Sequence, residues 1–212
     1  MNNNLSCKDF EKYSDKELQE IFSYDISDKS VLSNSVLKLI DEHKSDLLFL
    51  KELAAKEYVD RKINGEIHQQ TLAELLEYIP HEIVGDIAQN ALGELAIFNR
   101  LSENQLLFLA KHMPEGEWAL KQVKARLTVN FCAENFHECL ENLISLHTTW
   151  AILEIVKLSD SDFLNHIEER MSDVSILNKR NRNLVLEEIR KCKQHFSKLI
   201  TAPTTSKRNL EE

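Results

Sequence analysis

Leu106-Leu107-Phe108-Leu109-Ala110-Lys111-His112-Met113-Pro114-Glu115-Gly116-Glu117-Trp118-Ala119-Leu120 holds the plan of the whole chain. A short leucine-rich segment meets a Pro-Glu-Gly turn, and an apolar group then opens a second segment. The residue before a proline avoids the α region, so Pro114 ends the first helix where the second must begin. The plan echoes on both sides. Ile83-Val84 and Trp150-Ala151-Ile152 open similar apolar patterns, 35 residues before and 32 residues after Trp118. A unit that recurs at this spacing cannot bury its apolar face alone, so neighbouring copies must pack side by side. The expectation is an all-α chain of stacked helix pairs.

Working outward, Thr71 to Ile79 reads as a short helix ended near Pro80, with Glu82 to Phe98 as its longer partner. Ser102-Glu103-Asn104-Gln105 caps the next short helix, which runs to Met113, and Glu117 to Phe131 returns. Ala133 to Leu146 and Thr148 to Leu158 form a third pair, with His147-Thr148 where the others have a Pro turn. A fourth begins at the cap Ser159-Asp160-Ser161-Asp162, with Phe163, Leu164, Ile167 and Met171 at helical spacing, and pairs with Asn183 to Ile200. Upstream, Ser14 with Glu17 forms a capping-box pattern, and Val31 to Arg61 reads as helix with a polar break at residues 41–46. Leu47, Leu48, Leu50, Leu53 and Ala54 supply its apolar positions. The first dozen residues are expected to be loose. The organisation expected is an N-terminal helical segment over 1–70, a helical-repeat domain over 71–200, and a mobile polar tail over 201–212.

Only four glycines and three prolines punctuate 212 residues, too few turn-formers for an all-β sandwich or barrel. At 42% hydrophobic and 29% charged the composition is that of an ordinary globular chain. No apolar run approaches the roughly 18 residues that span a bilayer. The polar start Met1-Asn2-Asn3-Asn4 carries no export signal, so a soluble cytoplasmic protein is expected. Cys7, Cys132, Cys139 and Cys192 are scattered and are expected to be reduced.

The net charge of -9 is unevenly placed. Residues 1–100 hold 11 Lys/Arg against 19 Asp/Glu, whereas residues 174–208 hold 9 against 2. An acidic body disfavours broad phosphate-backbone contact, and a basic end suits an acidic partner.

Leu106 to Pro114 followed by Glu117-Trp118-Ala119-Leu120-Lys121-Gln122-Val123 resembles a HEAT-like or leucine-rich-variant helical repeat. The resemblance covers about residues 71–200 and rests on apolar spacing; the Arg and Asp positions of closer HEAT repeats are missing. It implies a HEAT-like α-solenoid of about four antiparallel helix pairs behind the N-terminal segment. Such folds bind proteins or peptides along one face.

The densest group of potential metal ligands is Cys132, His137 and Cys139, but no second ligand pair accompanies it. Buried thiols and a surface histidine explain it more simply, and no metal or cofactor is expected. His81, His112, His147 and His195 read as residues near helix ends, and Glu168-Glu169 and Glu187-Glu188 as solvated faces, so no catalytic residue is assigned. Trp118 and Trp150 occupy equivalent places, which packing between units explains better than a binding hot spot.

The contact candidates are Lys121, Lys124, Lys179, Arg180, Arg182 and Arg190. The function expected is a non-catalytic protein-binding adaptor or regulator that takes a protein or peptide partner, an acidic one at the basic end. Two alternatives stand beside it: a nucleic-acid-acting enzyme on a HEAT-like scaffold, and a bacterial immunity or secretion-related protein. Nucleic acid is disfavoured because positive charge is confined to one end with few aromatics interleaved.

Overall fold

A computed structural model describes residues 5–25, 32–132, 135–173 and 175–201. Among the described residues every regular element is helical and there is no strand. A 3₁₀ turn at Cys7–Phe10 precedes α1 (Asp15–Phe22) and α2 (Asn34–His43), and a second at Lys44–Asp46 leads into α3 (Leu47–Ile63). Then follow α4 (Gln69–Tyr78), α5 (Val84–Ile97), α6 (Glu103–His112) and α7 (Trp118–Asn130). The chain continues through α8 (Phe136–Ser145), α9 (Thr149–Leu158), α10 (Ser161–Met171) and α11 (Lys179–Thr201). No helix among them is long and apolar enough to cross a membrane. The chain divides into two compact units, Met1–Lys124 and Ala125–Glu212. Residues 202–212, which hold nearly all of the expected tail, lie outside the described residues.

Local chemistry sets the helix starts. The backbone N–H of Ser14 donates to Glu17 Oε2 at 2.9 Å, and that of Ser102 donates to Gln105 Oε1 at 2.8 Å, so both expected capping boxes form. The polar stretch between α2 and α3 becomes the 3₁₀ turn that separates them. α11 starts four residues before the expected Asn183. Asn178 supplies the reason: its side-chain oxygen accepts from the Asn181 N–H at 2.9 Å, which draws the basic run Lys179-Arg180-Asn181-Arg182 into the first turn.

Glu17 also reaches beyond its own helix. Its carboxylate accepts from the Ser35 hydroxyl at 2.5 Å and from the Ser33 hydroxyl at 3.4 Å, tying α1 to the start of α2. These hydrogen bonds, Ser35 first and then Ser14, hold its pKa at about 2 against an ordinary 4.5. A depressed carboxylate contributes stability above its unfolded value and loses it as pH falls toward the folded one. Stability should therefore decline as pH drops from about 4.5 to about 2, and the Glu17→Gln variant should show a smaller difference between neutral and acidic urea titrations. An undiminished acid loss in that variant would show that other carboxylates are responsible.

In the first unit α3 is the central element, packed by α1 and α5, while α4 packs on α5 and α6. Its core includes Leu18, Ile21, Leu50, Tyr58, Leu72, Leu75, Leu92, Leu106 and Leu109. Residues 7–13 are docked rather than loose. Phe10 is fully buried, and the Arg61 guanidinium of α3 donates to the Phe10 and Tyr13 carbonyls at 3.0 and 2.7 Å. An aromatic anchor and a charge-assisted clamp hold a segment whose sequence shows no helical period.

Tyr58 sits at the centre of this unit. Its hydroxyl donates to Glu74 of α4 and accepts from Gln19 Nε2 of α1 at 2.9 Å, and Gln19 also donates to the Tyr78 hydroxyl at 2.7 Å. Burial, followed by the Glu74 hydrogen bond, pushes the Tyr58 phenol well above its usual range. At the start of α7, Trp118 lies over Gly93 of α5 and is 43% exposed. A Cβ at position 93 would meet the indole ring, so only glycine leaves it this place.

In the second unit α9 packs on α8 and α11, and α10 on α11. Leu140, Leu143, Ile152, Ile155, Leu164, Ile167, Val185 and Ile189 fill the core, with Trp150 partly buried against it. Trp150 stands one residue further into α9 than Trp118 does into α7. Its partner on the preceding long helix is Arg126 of α7, whose guanidinium lies 4.7 Å from the indole and binds Glu154 at 2.6 and 3.1 Å. Gly93 precedes Trp118 by 25 residues and Arg126 precedes Trp150 by 24, but the contacts differ, a glycine under one ring and a guanidinium against the other.

The α8–α9 turn explains how His147 replaces a proline turn. His147 has φ of 54°, and the Thr148 N–H donates to the Leu143 carbonyl at 3.3 Å, a left-handed helix stop. A β-carbon is disfavoured in that conformation, so exposed His147 is expected to give roughly 0.5–1 kcal/mol of stability on substitution by glycine. A thermal midpoint that falls in the His147→Gly variant would contradict this.

Candidate functional site

An open concavity lies between α3 and α5, and the sequence of each helix makes its wall. Leu47-Leu48-Phe49-Leu50 opens α3 with four consecutive apolar residues. Successive helical residues are turned by about 100°, so one face cannot take all four. Leu50 is fully buried, whereas Leu48 is 60% and Phe49 40% exposed. Leu48 therefore does not join the core stripe that its spacing suggests.

The opposite wall is fixed by a close approach. A Cβ on Gly85 would lie 2.9 Å from the Tyr78 carbonyl oxygen, and the Gly85 N–H donates to the His81 carbonyl at 2.8 Å. This seats the head of α5 tightly on the end of α4. Ile83 and Ile87 consequently face Leu48, Phe49 and Leu53 across a groove of about 500 Å³. Glu52, Glu82, Asp86 and Lys56 line it as well. None of the three carboxylates is in an ion pair among the described residues, and all three are exposed. A second hollow of about 350 Å³ shares Glu82 and Ile83 and adds Lys51, Tyr78 and His81.

Of the six basic residues singled out from the sequence, two fall in the first unit and four in the second. Lys121 is exposed on α7, and Lys124 donates to Glu115 at 3.3 Å. Lys179, Arg180 and Arg190 are exposed on α11 and Arg182 is half-buried. Helical spacing puts Lys179, Arg182 and Arg190 on one side of α11. Nearby positive charge is partly neutralised: Lys191 pairs with Glu187 at 3.1 Å and Glu188 at 3.5 Å, and Lys193 pairs with Glu168.

The cysteine cluster turns inward. Cys132 and Cys139 are buried, with the Cys139 thiol donating to the Thr128 carbonyl at 3.7 Å, while exposed His137 meets the His166 ring at 4.2 Å. Burial first, and then the neighbouring Cys139 thiol, pushes the Cys132 pKa up to about 12. A thiol held protonated is a poor nucleophile and a poor metal ligand. Among the described residues no group of three or more His, Cys, Asp or Glu is placed to hold a metal ion.

The fold and the groove together define an all-helical protein that presents an open apolar surface with an acidic rim. Comparison with known proteins finds no matching family, no matching curated protein and no matching solved structure.

Proposed function

We propose that this protein is a non-catalytic, helical-repeat adaptor or regulator that binds a segment of another protein. The observation that carries the reading is the groove: five large apolar side chains gather around one open concavity, two of them substantially exposed. Single exposed apolar residues are ordinary, whereas a contiguous patch rimmed by charge marks an interaction surface.

The HEAT-like part of the reading draws on the packing within each unit. α2 and α3, α4 and α5, α8 and α9, and α10 and α11 each form contacting neighbours in the chain. Helices two apart also meet, α3 with α5, α4 with α6, and α9 with α11, the adjacency that stacked helix pairs produce. Trp118 and Trp150 each touch the helix two before their own, through Gly93 and Arg126, which supports the same plan.

A nucleic-acid-acting enzyme is the weaker reading. Its observation is the exposed Lys179 and Arg180 at the start of α11, where positive charge opposes the helix dipole and so serves no local purpose. Paired carboxylates along the same helix dilute that charge.

The test is affinity capture with the intact protein and with a Leu48→Ser/Phe49→Ser variant. A stoichiometric protein partner retained by the first and lost by the second is expected. Retention by both baits would remove the groove from the account, and recovery of nucleic acid in place of protein would favour the weaker reading.

A further inference from the structure

Resting on the protein-binding reading above, we infer that the α3–α5 groove takes one class of occupant: a cationic amphipathic helix supplied by another protein. Three features of the groove select it.

The first is the absence of a strand among the described residues. An extended peptide gains much of its affinity by pairing its backbone with a sheet edge, and this groove has none to offer. A helix satisfies its own backbone hydrogen bonds and asks only for side-chain complementarity. Two neighbouring helices with a furrow between them accept the side-chain ridge of a third.

The second is the placement of the apolar groups. Leu48 and Phe49 stand on one wall and Ile83 and Ile87 on the other, so the furrow is apolar on both sides. Apolar side chains recurring at three- and four-residue spacing on an incoming helix would enter between them.

The third is charge. Glu52, Glu82 and Asp86 against Lys56 leave the rim negative by two. Such a rim attracts Lys or Arg beside the apolar face, speeds encounter and rejects an acidic helix. The cationic α11 of a second copy does not meet this description. Its apolar residues Val185 and Ile189 are fully buried in its own unit, and Leu184, 45% exposed, is a single apolar side chain and not a face.

The experiment is fluorescence anisotropy of the full chain with two labelled helical peptides that share a Leu/Phe face and differ in carrying Lys or Glu on the polar face. The cationic peptide should bind the intact protein and weaken with added salt. Its affinity should fall at least about tenfold in the Glu52→Lys/Glu82→Lys/Asp86→Lys variant and in the Leu48→Ser/Phe49→Ser variant, a change expected for loss of the anchoring contacts. All five positions are exposed, and circular dichroism of each variant checks that it folds. If the acidic peptide binds as well as the cationic one, the occupant is wrong while the groove stands. If the cationic peptide binds every variant equally, or neither peptide binds, the inference fails, and equal binding to the serine variant removes the groove itself. A dimer of the intact protein that dissociates in the serine variant would assign the groove to a second copy and overturn the inference.

Discussion

The Tyr58→Ala variant is expected to lose roughly 3–5 kcal/mol of stability, the cost of deleting a fully buried aromatic ring. Tyr58 is 0% exposed in α3, with the Phe22 ring 5.5 Å away edge-on and the Tyr78 ring 5.8 Å away. Alanine would remove the shared neighbour of α1, α3 and α4 and leave Gln19 and Glu74 short of a partner. The Tyr58→Phe variant separates packing from polarity. Gln19 keeps Tyr78 and Glu74 keeps Lys62 at 3.3 Å, so the phenylalanine variant should lose only roughly 1–2 kcal/mol. Urea denaturation of both variants measures the difference. Equal losses would mean that the hydrogen bonds, and not the ring, hold the three helices.

The Arg126→Ala variant is expected to cost roughly 2–4 kcal/mol, set by the loss of a buried ion pair and of a cation–π contact. Arg126 is 4% exposed and Glu154 is 38%, so the orphaned carboxylate would recover part of its hydration, which lowers the cost below that of a fully buried pair. Glu154→Gln should cost a comparable amount, because it leaves the buried guanidinium without a countercharge while the carboxamide oxygen can still accept one of its hydrogen bonds. Indole emission gives a second readout: Trp150 should move toward the spectrum of a solvated indole in the alanine variant. A stability change within about 0.5 kcal/mol would place Arg126 among ordinary surface arginines.

The difference between what could and could not be read from the sequence follows from which interactions are local. Ser14 with Glu17 and Ser102 with Gln105 announce helix starts because both partners of a capping box lie within one turn. Pro80 and Pro114 announce stops for the same reason. The start of α11 was hidden because Lys179-Arg180-Asn181-Arg182 adds nothing to the apolar stripe that begins at Val185, while the single Asn178 cap decides the matter. The docking of residues 7–13 was hidden too, since Arg61, which clamps the Phe10 carbonyl, lies 51 residues away.

The groove divides the same way. Its apolar wall was visible in principle: four consecutive apolar residues at 47–50 exceed what one helix face can bury. Its opposite wall depends on Gly85 lying against the end of α4, a tertiary approach that no local pattern reports. Arginine is read as a surface residue by default, so the burial of Arg126 against Trp150 carried no signal either. Basic residues drew notice because they cluster in sequence, whereas Glu52, Glu82 and Asp86 cluster only in space.

Site-specific photo-crosslinking addresses the central claim whatever the identity of the partner. A benzophenone side chain placed at Phe49, and in a separate protein at Arg180, would be irradiated in the source cell and the adducts identified by mass spectrometry. Adducts of one protein from position 49, absent from position 180, are the predicted result. Adducts confined to position 180, or nucleic acid in place of protein, would contradict the assignment of the α3–α5 groove as the working surface.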